Sequence, residues 1–179
     1  MNTKFAFCIL TLAFVASPPQ ANRFHAGKVI PGFGKVASVE SDMKLDAETK
    51  LRICFDIAGT SRRGSMNQTF DSAARFINLN VESGAKAENI EVAIVVHGQA
   101  AIDVTDSKFY SKANQGRQNP NAKVIAELLK NRTTIYLCGQ TAAGRGIGKA
   151  DLLPGVKMAP SAMTAHAVLQ QDGYGLCPF

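Results

Sequence analysis

The stretch Ile90-Glu91-Val92-Ala93-Ile94-Val95-Val96 constrains the fold more than any other part of the chain. Apart from Glu91 it is apolar and mostly β-branched, without the alternation of a strand that has one wet face. A strand of this kind is covered on both sides, as in a parallel sheet sandwiched between helices. Leu51 to Ile57 and Thr133 to Cys138 read as strands too, and helical patterns fill the gaps. Phe70, Ala73, Ala74, Ile77 and Val81 recur at helical spacing, with Gly84 placed for a left-handed cap. Asn119-Pro120-Asn121 opens a second helix, which buries Val124, Ile125, Leu128 and Leu129. An asparagine there can cap free amides, and a proline in the first helical position gives up no needed hydrogen bond.

Farther along, Thr141 to Gly148 has room only for a short helix, and Gly155 to Ala159 makes a short fourth strand. Ser161 caps a helix from Ala162 to Asp172, which Gly173 ends, and the tail from Tyr174 adds a fifth, edge strand before Pro178. The alternation predicts an α/β domain, residues 49–179, with a parallel sheet of about five strands and helices on both faces. Residues 22–48 are rich in Gly, Pro and charge and read as an extended lead-in lying across the domain surface.

The first 21 residues have the three regions of a secretory signal peptide: Lys4, an apolar run from Phe5 to Ala16, and small residues up to Ala21. The run is too short to span a bilayer, although an uncleaved tether is the alternative, because Pro18 and Pro19 disfavour the obvious cuts. Cys8 belongs to this leader. The expected location is periplasmic or secreted, with no membrane contact once the leader is removed. The net charge of +6 suggests a nucleic-acid partner until its distribution is examined. Lys4, Arg23, Lys28 and Lys35 precede the first acidic residue, Glu40, and from there 16 basic residues face 14 acidic ones. A domain so nearly neutral is not expected to bind nucleic acid.

Ligands of open parallel sheets bind beyond the carboxyl ends of the strands. Asp56, His97, Cys138 and Ser161 fall at four such ends. Cys138 is followed by Gly139-Gln140-Thr141, where strand turns into helix. Free amides at a helix start favour a thiolate, and Arg145, farther along, could add positive charge. The alternative is a small buried hydrophobe. His97 could shuttle a proton or line the pocket, or it could simply close its strand through backbone hydrogen bonds. Three cysteines follow the leader, Cys54, Cys138 and Cys177. With no Cys-x-x-Cys and no ligand partner at suitable spacing for His97, no metal site is expected. Cys54 reads as core and His166 as a packing or interface residue. Cys177 is a possible second thiol, either an ordinary edge-strand thiol or one that a mobile tail brings to Cys138 or to a neighbouring subunit.

The order Ile30-Pro31-Gly32-Phe33-Gly34, Ala74-Arg75-Phe76-Ile77-Asn78-Leu79, Val95-Val96-His97-Gly98, Asn119-Pro120-Asn121, Tyr136-Leu137-Cys138-Gly139-Gln140, Ser161-Ala162-Met163-Thr164 and Gly173-Tyr174 resembles exported members of the DsrE/DsrF-like family. The resemblance runs from about residue 29 to residue 179. It implies a flavodoxin-like three-layer sandwich, a homo-oligomer, and a sulfur relay in which a cysteine, here Cys138, carries sulfur as a persulfide. His97, Gly139, Gln140, Ser161 and Asp56 would then surround that sulfur. A carrier of this kind needs no cofactor, and its donor or acceptor would be a protein or a small thiol. Two readings compete: a non-catalytic module that binds a small ligand or serves assembly, and a cysteine hydrolase that uses Cys138 and His97 with Asp56 or Asp103 as orienting carboxylate.

Overall fold

A computed structural model describes residues 23–61 and 64–177. Residues 1–22, with the expected leader and Cys8, lie outside the described residues. Five strands, β1 (Leu51–Ile57), β2 (Ile90–Val96), β3 (Thr133–Cys138), β4 (Lys157–Ala159) and β5 (Gly175–Cys177), form one sheet in the order β4-β3-β2-β1-β5. Every pairing is parallel. Five helices accompany them: α1 (Gln68–Glu82), α2 (Ser107–Ala113), α3 (Ala122–Lys130), α4 (Gly139–Arg145) and α5 (Ala162–Gln171).

The centre of the sheet explains its most apolar sequence. From Val92 to Val96, β2 is fully buried, because its side chains enter two different cores in alternation. Val92, Ile94 and Val96 join Phe55, Ile57, Ile135 and Leu137 beneath α1 and α3. Ala93 and Val95 join Cys54 and Ala159 beneath Ala165 and Leu169 of α5. Helices therefore cover both faces, α1 and α3 on one and α5 on the other.

Asn67 caps α1, its Oδ1 accepting from the Thr69 amide at 3.1 Å. The asparagines before α3 act differently from the expected cap. Asn119 Oδ1 accepts from the Asn121 amide at 2.9 Å, while its Nδ2 donates to the carbonyls of Asp103 and Thr105 at 2.9 and 2.8 Å. The side chain thus ties the α3 entrance to the loop after β2, and the helix itself starts only at Ala122. That loop, a 3-10 stretch from Gly98 to Val104, and α2 after it have no counterpart in the sequence reading. The short helix expected over 141–148 occupies Gly139–Arg145 and begins directly at the end of β3.

The lead-in is not a surface strap. Ile30 and Val36 are 0% and 1% exposed, and Ile30 belongs to the core beneath α1. A buried asparagine of α1, Asn78, holds the segment. Its Oδ1 accepts from the amides of Val29 and Ile30 at 3.2 and 2.9 Å. Its Nδ2 faces the carbonyls of Ile30, Phe33 and Gly34 at 3.0, 3.0 and 3.1 Å. Backbone groups of an irregular segment can be buried only when something satisfies them, and one amide side chain does so for four residues of this turn.

Candidate functional site

Parallel register carries the candidate residues to one edge of the sheet and onto one face. Asp56 pairs with Val95, Val96 with Leu137, and Cys138 with Ala159. His97 and Cys138 follow a matched pair and so stand beside each other at the ends of neighbouring strands, about 4.8 Å apart in the sheet. Strand alternation puts Cys54, Asp56, Val95, His97, Tyr136 and Cys138 on the face that α5 covers.

Cys138 is buried, at 5% exposure, and is itself the residue that precedes α4. Burial pushes its thiol pKa up, but the Thr141 hydroxyl and the amides of Thr141, Ala162 and Gln140 more than offset this, so the thiol lies below its ordinary value. The amides come from two helix starts, Gln140 and Thr141 from α4 and Ala162 from α5. Both helices present positive dipole ends to one sulfur. Arg145, expected to add charge, stands at the other end of α4. It lines a cleft with Ile102, Phe109, Lys112 and Ile147.

Gly139 makes this junction possible, for a reason other than turn geometry. A Cβ at this position would lie 2.6 Å from the Ala159 carbonyl oxygen and 3.1 Å from that of Pro160. The start of α4 runs directly against the β4–α5 connection, and that approach brings the Ala162 amide to Cys138. Gln140 supports the same contact, its Nε2 donating to the Pro160 carbonyl at 3.4 Å. Ser161 caps α5, its Oγ accepting from the Thr164 amide at 3.0 Å. Its hydroxyl therefore serves the helix start that faces Cys138.

Beside the cysteine, one carboxylate holds two imidazoles. Asp56 accepts from His97 Nε2 at 3.1 Å through Oδ2 and from His166 Nε2 at 2.6 Å through Oδ1. Burial alone would raise the Asp56 pKa, but the bonds from His166 and His97 overcome it and hold the carboxyl below its usual value. On its other side, His166 Nδ1 lies 3.6 Å from the Cys54 sulfur. Burial, with smaller contributions from Asp56 and Cys177, pushes the Cys54 thiol up to about 12, so it stays protonated, within reach of that nitrogen and of the Phe55 carbonyl at 3.8 Å. His97 Nδ1 has no hydrogen-bond partner among the described residues. Gly98, which follows, has φ +56° and passes so close to Ala58 that a Cβ would meet its carbonyl oxygen at 2.9 Å. The chain can thus leave β2 at His97 and turn at once across the sheet edge.

The sequence reading gave His166 a packing or interface role and no place beside Asp56. Its signal lay in the stripe Ala162, Ala165, His166, Leu169, the spacing of one helix face. Asp103, the other carboxylate considered for a hydrolase, is fully buried and accepts from Asn67 Nδ2 at 2.9 Å and Thr60 Oγ1 at 3.5 Å. Burial raises its pKa, against those bonds, and it makes no bond to His97. Cys177 is buried at 7% exposure. It sits on β5, three strand spacings or about 14 Å from β3, so the ordered tail keeps it away from Cys138. Among the described residues, no group of three or more His, Cys, Asp or Glu side chains is arranged to hold a metal ion.

Two solved structures share the architecture. One is a protein of unknown function, MTH1491 from Methanobacterium thermoautotrophicum, with 16% identity, a TM-score of 0.53, and coverage of 73% of this chain and 100% of that one. The other is the ychN protein from E. coli, with 17% identity, a TM-score of 0.51, and coverage of 72% and 100%. At such identities the likeness establishes the fold. No curated protein matches the chain. The family model for "DsrE/DsrF-like family" matches residues 60–179, a span that contains His97, Cys138, Ser161 and His166. With a matching family model over most of its length and a five-stranded parallel sheet of the same architecture, the chain belongs to the DsrE/DsrF-like family.

Proposed function

We propose that the protein is an exported sulfur carrier that holds sulfane sulfur on Cys138 as a persulfide and passes it to a partner thiol. The observation that carries this reading is the convergence of two helix starts and the Thr141 hydroxyl on one buried-edge sulfur. A thiolate favoured in this way attacks a sulfane donor readily and is also a good leaving group when the sulfur moves on. Membership of a family related to sulfur relay agrees with it. The carrier acts in the periplasm or outside the cell and self-associates. In support of self-association, Met163, Val168 and Leu176 are 79%, 50% and 49% exposed on the side of the sheet that α5 alone covers, a surface suited to a second copy.

The Asp56–His97 pair has the form of the orienting carboxylate and base of a cysteine hydrolase. However, no hydrogen bond joins His97 to Cys138, and amides already stabilise the thiolate. One experiment separates the readings. After incubation with inorganic polysulfide, intact-mass spectrometry should show gains in whole sulfur units that map to Cys138 and vanish in Cys138→Ser. An unmodified wild-type chain would point to the binding module, and turnover of an activated ester to the hydrolase.

A further inference from the structure

We infer that His97, held by the Asp56 carboxylate that also binds His166, is the acid-base residue of sulfur transfer at Cys138, and that its Nδ1 takes up the proton of the acceptor thiol. The inference rests on the carrier reading and adds to it the residue that moves the proton.

The hydrogen bonds fix which ring atoms are available. An ionised carboxylate only accepts, so Asp56 requires a proton on the Nε2 of both His97 and His166, at 3.1 and 2.6 Å. When neutral, each ring then carries its lone pair on Nδ1. His166 turns its Nδ1 inward, 3.6 Å from the buried Cys54 sulfur, and so away from the sheet edge. The Nδ1 of His97 is without a partner among the described residues, its side chain is 31% exposed, and it stands one strand from Cys138 at the same edge and on the same face. Asp56 and His166 are positioning residues: Asp56 sets the tautomer of His97, and His166 fixes the carboxylate through its other oxygen.

In the transfer step, an acceptor thiol R–SH gives its proton to His97 Nδ1, and its sulfur attacks the outer sulfur of the Cys138 persulfide. A new S–S bond forms in R–S–SH as the old one breaks. The electron pair of the broken bond leaves on the Cys138 sulfur, where the amides of Gln140, Thr141 and Ala162 receive it. The proton then rests on His97 and the negative charge on Cys138. The sulfane sulfur changes owner without a change in total oxidation level, so no external oxidant or reductant enters.

The test uses the full chain loaded with inorganic polysulfide, with the loaded fraction measured by mass. Discharge to N-acetylcysteine is followed per loaded chain. His97→Gln should discharge about 100-fold more slowly or worse, and imidazole added to the buffer should restore part of the rate, which a merely structural role would not allow. If loaded wild-type and His97→Gln chains discharge equally fast, the relay is overturned and the carrier stands. If wild-type Cys138 does not load, both fall. Should His97→Gln fail to fold, nitrogen NMR of the wild-type histidines decides: a neutral His97 protonated at Nε2 supports the assignment, and one protonated at Nδ1 overturns it.

Discussion

At the scale of single residues, the three cysteines separate by environment. A thiolate is the reactive form, and a free cysteine has a pKa of about 8.5. Cys138 lies below its ordinary value, so its thiolate fraction at pH 6 exceeds that of an ordinary thiol. Cys54 is pushed up to about 12 and is 2% exposed. Alkylation at pH 6, followed by peptide mapping, should therefore label Cys138 first and leave Cys54 untouched until the chain unfolds. Cys177, read from sequence as an ordinary edge-strand thiol, is buried to the same degree as Cys138, at 7% against 5% exposure, but stands away from the helix starts that favour the Cys138 thiolate and should be labelled later. Equal labelling of Cys138 and Cys177 between pH 6 and 8 would contradict the site geometry. Asp56, His97 and Cys138 were legible in the sequence because each ends a recognisable strand. His166 was not, because its partner Asp56 is 110 residues away and only the path of α5 brings them together. Asn78 was equally hidden. On a helix face an asparagine reads as a polar interruption, and the five backbone groups it serves belong to a distant turn.

At the scale of elements, the strands were legible because burial on two faces leaves a continuous apolar run. The connections after β2 were not. Gly98–Val104 buries Ala100, Ala101 and Val104 in the core, and Asp106 Oδ1 caps α2 by accepting from the Phe109 amide at 2.7 Å, but neither segment carries a long apolar period. The pivotal junction is where α4 meets the β4–α5 connection. Gly139→Ala would drive a methyl group into the carbonyls of Ala159 and Pro160. Overpacking of this kind costs about 1–3 kcal/mol, readable as a fall in the denaturant midpoint. Because the strain acts between the two helix starts, the Ala162 amide should also withdraw from Cys138. Alkylation of Cys138 at pH 6 should slow in this variant, beyond any loss of stability. A variant with unchanged stability and unchanged labelling would show that the contact is not tight in solution.

At the scale of the whole molecule, the lead-in is not confined to the surface: its turn is packed into the core beneath α1. A sequence rich in Gly, Pro and charge gave no periodic signal, since its burial depends on Asn78 and on two isolated apolar side chains, Ile30 and Val36. Ile30→Ala should cost about 2–5 kcal/mol, as for other fully buried large-to-small changes. A surface strap would lose well under 1 kcal/mol, so a denaturation curve distinguishes the two cases. The sheet order has a further consequence for a chain exposed to oxidants. Cys54 and Cys177 occupy neighbouring strands, yet Cys177 pairs with Phe55 and Cys54 with Leu176, so the two sulfurs point into opposite cores. Cys138 is two strands beyond β1, farther than a disulfide can reach without moving the backbone. The fold therefore insulates the three thiols among the described residues from one another. Oxidation cannot join these three within one chain while the sheet stays intact.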